Sequence, residues 1–243
     1  MRVQYGWRAR IGLINIASSA VMEPEFYAMI PEGVAVLTAR VTLGKVTPEE
    51  LASLSEKGGQ VEGVTRALAT ARPHVITFGC TAGSFVKGPG YDQGIVRMME
   101  EVSGGIRCTT TTTAVVEAAK ALGLRRLAVG TPYIDEVNER ATRFLEAVGF
   151  QIVSMKGLGI VDDFTIGEQT SATVYNLARE VDVPEADGVF LSCTNLRGAE
   201  VIQALELDLG KPVITAIQAT VWHSLRLVGV REPVRGFGRL MEI

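Results

Sequence analysis

The feature that most constrains the fold of this chain is a regular alternation of short apolar segments with longer amphipathic ones. The apolar segments are rich in β-branched residues and are bounded by Gly, Pro or polar turns, which predicts strands. They are Ile11–Ile16, Val34–Val41, Val75–Phe78, Ile106–Thr110, Leu127–Gly130, Ile152–Met155, Gly188–Leu191 and Val213–Thr215. Strands that alternate with helices form parallel sheets whose faces the helices cover. The alternation therefore predicts an α/β protein.

The segments between the strands have helical spacing and end near turn residues. One of them follows Thr47-Pro48-Glu49-Glu50, which has the pattern of a capping box with proline at the first helical position. The predicted helices are Pro48–Thr70, Ala114–Leu122, Ile134–Val148, Ser171–Glu180 and Leu196–Leu207.

The order of elements repeats along the chain. The segment Val75–Thr81 corresponds to Val189–Thr194, and each carries Cys-Thr directly after the third strand of its unit. Two copies of a four-strand unit predict two similar lobes related by a pseudo-twofold axis, with lobe 1 formed by residues 1–115 and 212–243 and lobe 2 by residues 116–211. Ligands of open parallel sheets bind beyond the carboxyl ends of the strands. Both Cys-Thr pairs are therefore expected to face one cleft between the lobes.

Charge and hydropathy exclude several classes of partner. The 24 Lys and Arg residues are outnumbered by 27 Asp and Glu residues, and the formal net charge of −3 offers no bulk basic surface for nucleic acid or an anionic membrane. No apolar run reaches the ~18 residues that a membrane-spanning helix needs. The N-terminal segment lacks the apolar core of a signal peptide. We expect a cytoplasmic protein.

Cysteine and histidine are scarce in this sequence. The three cysteines, Cys80, Cys108 and Cys193, are too few and too widely spaced for a disulfide framework. The two histidines, His74 and His223, form no metal-ligand spacing with them, so no metal is expected. Scarce histidine also argues against Ser-His or Cys-His hydrolysis. Cys108 lies inside a predicted strand without a counterpart in the second unit, which favours a place in the core.

The two Cys-Thr loops carry the clearest chemical signal. Small residues flank both thiols, in Gly79-Cys80-Thr81-Ala82-Gly83-Ser84 and in Ser192-Cys193-Thr194-Asn195. Such loops let backbone N–H groups approach a ligand, and together with the two threonine hydroxyls they can bind a carboxylate or a developing enolate. The same surroundings are expected to lower the thiol pKa without a histidine partner. The alternative is that each cysteine is a small buried hydrophobe, but their matching positions favour a function.

These loops, the duplication and the run Thr109–Ala114 resemble the aspartate/glutamate racemase superfamily, and within it the branch of maleate cis-trans isomerases and arylmalonate decarboxylases. The resemblance spans Arg10 to Leu240 and rests on further segments: Val41-Thr42-Leu43-Gly44-Lys45-Val46-Thr47-Pro48-Glu49, Leu122-Gly123-Leu124-Arg125-Arg126, Thr131-Pro132-Tyr133-Ile134-Asp135-Glu136-Val137-Asn138-Glu139-Arg140 and Gly236-Phe237-Gly238-Arg239-Leu240. It implies a fold of two lobes with the active site between them, no cofactor, and a homo-oligomer.

The resemblance also implies roles for particular residues. Cys80 matches the first-lobe cysteine, which is the nucleophile of maleate isomerases and a proton-transfer base in racemases, whereas arylmalonate decarboxylases have glycine there. Cys193 matches the second-lobe cysteine, which protonates the planar intermediate. The residues implied to bind the substrate carboxylate are Thr81 with the amide of Ala82, Tyr133, Thr194 and Asn195.

The loop after the first strand departs from the family pattern. Ser18 and Ser19 match the corresponding loop of the isomerases and are implied to contact the substrate, but Ala20 stands where those enzymes use an asparagine on a carboxylate. Maleate is therefore doubtful as the substrate. Arg40 and Arg197 are candidates to pair with a second carboxylate, because arginine binds carboxylates through two parallel hydrogen bonds. A solvated surface position is the equal alternative for both.

The residues and the resemblance together predict a cofactor-independent isomerase with two catalytic cysteines, acting on a small carboxylic acid by cis-trans isomerisation or racemisation. One alternative is an arylmalonate-type decarboxylase with Cys193 as proton donor. Another is a protein whose lobes bind a carboxylate without chemistry.

Overall fold

Two four-stranded parallel sheets form the framework of the protein. The computed structural model describes residues 4–243. The first sheet has the order β2-β1-β3-β4 and the second the order β6-β5-β7-β8, so one topology occurs twice. The strands are β1 Ala9–Ile16, β2 Val34–Val41, β3 Val75–Gly79, β4 Cys108–Thr110, β5 Arg126–Thr131, β6 Gln151–Gly157, β7 Gly188–Leu191 and β8 Val213–Thr215. The predicted two-lobed α/β fold is confirmed.

Eleven α-helices occur among residues 4–243 and cover the faces of the sheets. They are α1 Met22–Met29, α2 Pro48–Ser53, α3 Gln60–Ala69, α4 Thr81–Phe85, α5 Tyr91–Val102, α6 Thr111–Ala121, α7 Asp135–Ala147, α8 Asp163–Gly167, α9 Ser171–Val181, α10 Ile202–Leu209 and α11 Ala216–Leu227. The four inner strands, β1, β3, β5 and β7, are almost wholly buried, as expected where helices pack on both faces.

The prediction of one helix over Pro48–Thr70 is wrong. The chain forms α2 and α3 instead, separated by a turn in which Gly58 has a positive φ of 77°. The predicted capping box is absent as well, because the Glu50 carboxylate accepts hydrogen bonds from the backbone N–H groups of Gly44 and Lys45. Glu50 thereby closes the loop between β2 and α2 rather than capping the helix.

The prediction of a helix over Leu196–Leu207 is also wrong in its first half. Helix α10 begins only at Ile202, and the residues from Ser192 to Val201 form an irregular loop with turns. The N–H groups of Gly198 and Ala199 donate to the carboxylate of Glu25 in α1, at 2.8 and 3.0 Å. A partner from the other lobe satisfies this backbone, which therefore does not need helical hydrogen bonds.

The last helix of each unit lies where the lobes meet. Thr110 caps α6 and Thr215 caps α11, each accepting a hydrogen bond from the N–H three residues on. The two helices pack against each other, and the Thr220 hydroxyl donates to that of Thr111 at 3.0 Å. Strand β8 pairs within the second sheet, whereas α11 also packs on α1 and β3 of the first lobe. The lobe boundaries at 115/116 and 211/212 stay a prediction.

None of the helices among residues 4–243 is both long enough and apolar enough to cross a membrane.

Candidate active site

A small, partly enclosed cavity lies between the lobes, beyond the carboxyl ends of the strands. Both thiols, Cys80 and Cys193, line it. The other lining residues are Ile16, Leu43, Val46, Leu51, Thr81, Ala82, Tyr133, Asp163 and Thr194. The predicted cleft thus exists and brings together one Cys-Thr pair from each lobe. Three predicted substrate-binding residues next to the cysteines, Thr81, Ala82 and Thr194, also line this cavity.

Cys80 lies at the junction of β3 and α4. It is the residue that caps α4, with extended backbone angles, and its Sγ accepts a hydrogen bond from the N–H of Gly83 at 3.3 Å. A Cβ at position 83 would lie 2.8 Å from this sulfur, so only glycine allows the thiol to sit over the start of the helix. The sequence Cys-Thr-Ala-Gly therefore fixes the direction of the first thiol.

Cys193 follows β7 in a strained conformation. Its φ is 115°, in the region that L-residues other than Asn and Asp rarely adopt. Its Sγ accepts a hydrogen bond from the N–H of Asn195 at 3.3 Å. The unusual φ and this hydrogen bond occur together in one short turn, at a residue whose side chain lines the cavity.

The two threonines beside the cysteines use their hydroxyls differently. The Thr194 hydroxyl donates to the backbone oxygen of Gly79 at 3.0 Å and so ties the second-lobe loop to the end of β3. The Thr81 hydroxyl is buried and has no hydrogen-bond partner within residues 4–243. Thr81 therefore offers a free donor to a ligand, whereas the proton of Thr194 is already committed.

Tyr133 closes the cavity on the second-lobe side. Only 2% of its surface is exposed, and its ring packs edge-on against Phe85 of the first lobe. Burial raises the pKa of its hydroxyl well above the ordinary value, and the neighbouring Cys193 thiol raises it further. The hydroxyl is thus a neutral donor adjacent to the second thiol.

Three predicted site residues do not line the cavity. The hydroxyl of Ser18 donates to Oδ2 of Asp163 at 2.6 Å, and Oγ of Ser19 accepts from the N–H of Met22 at 3.4 Å. The Asn195 side-chain amide donates to Oδ2 and to the backbone oxygen of Asp163, at 3.1 and 2.7 Å. Ser18 and Asn195 act on the cavity by holding Asp163, and Ser19 supports the start of α1.

Asp163 is the site residue that sequence reasoning missed. It is 4% exposed, lies at the first position of α8 and lines the cavity with both thiols. Burial raises the pKa of its carboxyl group, and the donors Ser18 and Asn195 oppose that rise. A signal was available: Asp162-Asp163 interrupts an apolar stretch shortly after β6, at the same edge of the sheet as Cys193.

The expectation of a lowered thiol pKa is wrong for this cavity. Burial raises the pKa of Cys80 to about 12, and the N–H of Gly83 offsets only part of that rise. Burial raises the pKa of Cys193 even further, and the negative charge of Asp163 adds to it. Removing water costs a thiolate more than one or two N–H groups return. Both thiols are therefore neutral at pH 7 in this state.

An apolar wall, formed by Leu43, Val46 and Leu51, makes up part of the cavity lining. The N–H of Val46 donates to the backbone oxygen of Val161 at 2.7 Å, which joins the loop before α2 to the loop before α8. The space that a water centre can occupy is about 10 Å³, enough for about one water molecule. The cavity as it stands is therefore smaller than a carboxylic-acid substrate.

Glu25 anchors the second-lobe loop from outside the cavity. Its Oε1 accepts the N–H groups of Gly198 and Ala199, while its Oε2 is buried without a hydrogen-bond partner in the described chain. Burial raises the pKa of this carboxyl group to about 7, against the opposing effect of the two N–H donors. Helix α1 of the first lobe thus positions the loop that carries Cys193.

The remaining candidates serve the scaffold. Arg40 pairs with Glu23 at 2.6 Å and donates to the backbone oxygens of Ala17 and Ser19, so it holds the loop after β1. Arg197 is half exposed and also lies outside the cavity lining. Cys108 is buried in β4 away from the cavity, and its thiol donates to the Ile106 oxygen.

Comparison with known proteins shows to which family the chain belongs. The arylmalonate decarboxylase family matches residues 11–241. The chain belongs to the arylmalonate decarboxylase family. Its relatives include arylmalonate decarboxylase from Bordetella bronchiseptica, 32% identical over 235 residues and 96% of each chain. Maleate isomerase from Nocardia farcinica is 29% identical over 241 residues, 96% of this chain and 95% of the isomerase. The resemblance to arylmalonate decarboxylases and maleate isomerases that the sequence indicated is confirmed, and the family is enzymatic.

A solved structure extends the comparison to the fold of this family. The Nocardia farcinica maleate cis-trans isomerase, with a serine in place of one cysteine, superposes with a TM-score of 0.90 at 28% identity, covering 96% of this chain and 98% of that one. That structure contains a covalently bound succinylcysteine intermediate. The fold described above is therefore one in which a cysteine of a related enzyme forms a bond to carbon.

Proposed function

We propose that this protein is an isomerase with two catalytic cysteines, which acts on a small carboxylic acid by cis-trans isomerisation or racemisation and needs no cofactor. The observation that carries the proposal is that Cys80 and Cys193 line one small cavity from opposite lobes. A pair of thiols on two sides of a bound acid can act on opposite faces of one carbon.

Cis-trans isomerisation uses Cys80 as nucleophile. Its thiolate adds to one alkene carbon, the π electrons move to the neighbouring carbon, and Cys193 gives that carbon a proton. The central bond is then single and rotates. Cys193 takes the proton back, the double bond re-forms and the sulfur leaves as thiolate. The succinylcysteine found in the related isomerase is the adduct that such an addition to maleate produces.

Racemisation uses the same two groups as base and acid. One thiolate removes the α-proton, the electron pair moves into the carboxylate to give an enediolate, and the opposite thiol protonates the other face. The Thr81 hydroxyl and the N–H groups near Ala82 supply donors for the developing charge. Burial makes each thiolate a stronger base than in water, which suits a weakly acidic C–H.

Decarboxylation is the second candidate, because the chain belongs to the arylmalonate decarboxylase family. In that reaction the C–C bond to one carboxylate breaks, CO₂ leaves, and the electron pair forms an enediolate that the Cys193 thiol protonates. Cys80 has no role in these steps. Its presence at the cavity is what favours the isomerase over the decarboxylase.

Proton NMR in D₂O tests these proposals with a panel of maleate, amino acids, hydantoins and arylmalonates. Shifted vinyl signals support cis-trans isomerisation, and inversion with deuterium at the α-carbon supports racemisation. We expect Cys80→Ser and Cys193→Ser each to lower turnover by about 10³-fold or more.

Cys108→Ser is the matched control and should retain the wild-type rate, because Cys108 lies outside the cavity. Loss of CO₂ that continues in Cys80→Ser would establish the decarboxylase instead. Binding without turnover across the panel would establish a carboxylate-binding protein.

We also propose a cytoplasmic location and a homo-oligomer, which the sequence and the resemblance support.

A further inference from the structure

The charge of the cavity is unusual for a site that binds acids. Among the described residues that line it, Asp163 is the one carboxylate, and there is no lysine, arginine or histidine. Arg40 and Arg197, the candidates for a second carboxylate, lie outside the lining. A substrate with two carboxylates would therefore place its second charge in a buried, uncompensated position beside another negative charge.

The Asp163 carboxylate is held in one orientation. Its Oδ2 accepts the hydroxyl of Ser18 from the first lobe at 2.6 Å and the side-chain amide of Asn195 at 3.1 Å. Its Oδ1 accepts no hydrogen bond within residues 4–243. Burial raises the pKa of this carboxyl group, and the two donors at one oxygen oppose that rise. In its ionised form the carboxylate can only accept. The free Oδ1 is thus a fixed acceptor.

Thr81 supplies a hydrogen-bond donor, in contrast to the acceptor at Asp163. Its buried hydroxyl has no hydrogen-bond partner in the part of the chain that the structure describes, and it lines the same cavity. One polar group of the site can therefore donate to a carboxylate, and the other can accept from an N–H or O–H group. The cavity is matched to a molecule that carries one group of each kind.

We propose that the substrate is a monocarboxylate with an N–H or O–H donor close to its reacting carbon, and that Asp163 selects it by accepting from that donor. The inference rests on the proposed function and specifies its substrate class. The carboxylate is bound by Thr81, the donor by Oδ1 of Asp163, and the reacting carbon lies between Cys80 and Cys193. A dicarboxylate such as maleate is disfavoured because its second carboxylate faces Asp163.

Isothermal titration calorimetry with a matched pair of ligands tests this selection. Succinate and succinamate share a carbon skeleton and differ only in that one carboxylate is an amide, and neither has an alkene for thiol addition. The wild-type protein should bind succinamate about tenfold or more tightly than succinate. Asp163→Asn should remove or reverse this preference, because the new side-chain amide donates to a carboxylate.

Asp162→Asn is the control, since it removes the same charge one residue away. The Asp162 side chain is exposed and caps α8, a role that asparagine also fills. We expect it to keep the wild-type preference. A wild-type protein that binds succinate as tightly as succinamate, or binds neither, would overturn the inference whether or not Asp163→Asn folds. An unchanged preference in a folded Asp163→Asn would overturn it too.

These outcomes are independent of catalysis. Preference for succinamate without turnover of any acid would contradict the proposed isomerase and leave the selection by Asp163 standing. Turnover that depends on both cysteines, without the preference, would contradict the selection alone.

Discussion

The two Cys-Thr loops occupy equivalent places in the two lobes, yet they are built differently. In the first lobe Cys80 has ordinary backbone angles, begins a helix and is followed by a threonine with an unpartnered hydroxyl. In the second lobe Cys193 has a φ of 115°, no helix follows directly, and Thr194 donates to Gly79. One loop keeps its polar group free for a ligand, and the other uses it to join the lobes.

The comparison shows that the corresponding loops of the two units are held in place in different ways. Helix α4 supports the first loop by local hydrogen bonds. The second loop is held from the first lobe, by Glu25 at Gly198 and Ala199 and by the Gly79 oxygen at Thr194. The position of the second thiol therefore depends on how the lobes pack, whereas that of the first depends on sequence close to it. Three predictions test this difference.

The largest effect is expected from Glu25→Gln. Burial raises the pKa of Glu25 to about 7 from 4.5, so the folded protein favours the protonated carboxyl, and this stabilising contribution is lost as the pH rises through about 7. Between pH 5 and pH 8 the wild-type free energy of unfolding should fall by about 2.5 kcal/mol more than that of Glu25→Gln. Urea unfolding at both pH values measures it.

The control for this change is Glu200→Gln, which alters an exposed carboxylate near the same groove. It should keep most of the pH dependence of the wild type, because the Glu200 charge adds only a minor part to the rise in the Glu25 pKa. An equal pH dependence in Glu25→Gln and wild type would show that the anchor of the second loop does not titrate. Because Gln still accepts from Gly198 and Ala199, kcat at neutral pH should be retained, whereas Glu25→Leu should lower it.

The next effect contrasts Thr81→Val with Thr194→Val. Removing the Thr81 hydroxyl should weaken succinamate binding about tenfold with little change in stability, because this hydroxyl makes no hydrogen bond within residues 4–243. Thr194→Val should instead lower the free energy of unfolding by about 1 kcal/mol, because the Gly79 oxygen loses its donor. Calorimetry and urea unfolding of both variants separate the two roles. Equal effects in both assays would contradict the division.

The smallest effect concerns backbone strain. Cys80→Gly and Cys193→Gly remove the same buried side chain, but only at position 193 does glycine relieve a positive φ. Cys193→Gly should therefore be less destabilising than Cys80→Gly by about 1 kcal/mol. Urea midpoints compare them directly. If Cys193→Gly proves the less stable of the two, the strain assigned to the second loop is absent.

Much of the fold could be predicted because it depends on local pattern. All eight strands form where β-branched apolar runs predict them, and the bounds of β2, β7 and β8 agree with the prediction. The errors have physical causes. Gly58 interrupts a helical pattern that continues on both sides of it, and the turns before α10 depend on Glu25, which is more than 170 residues away along the chain.

Less of the candidate site than of the fold could be predicted from the sequence. The Cys-Thr pairs are visible because they repeat, and the cavity contains both. Asp163 has no such counterpart, and its role depends on the distant residues Ser18 and Asn195. The thiol pKa was predicted in the wrong direction because composition shows which donors lie nearby but not how completely water is excluded. Burial is a property of the assembled lobes.

The apolar wall has a consequence for anyone who wishes to redesign this scaffold. Leu43, Val46 and Leu51 border the reacting space but exchange neither protons nor electrons with it. Trimming or enlarging these three side chains would change which molecular shapes are admitted while leaving the chemical apparatus intact. The range of substrates accepted by a catalyst built on this fold can thus be changed separately from its reactivity, by substitutions in this apolar wall.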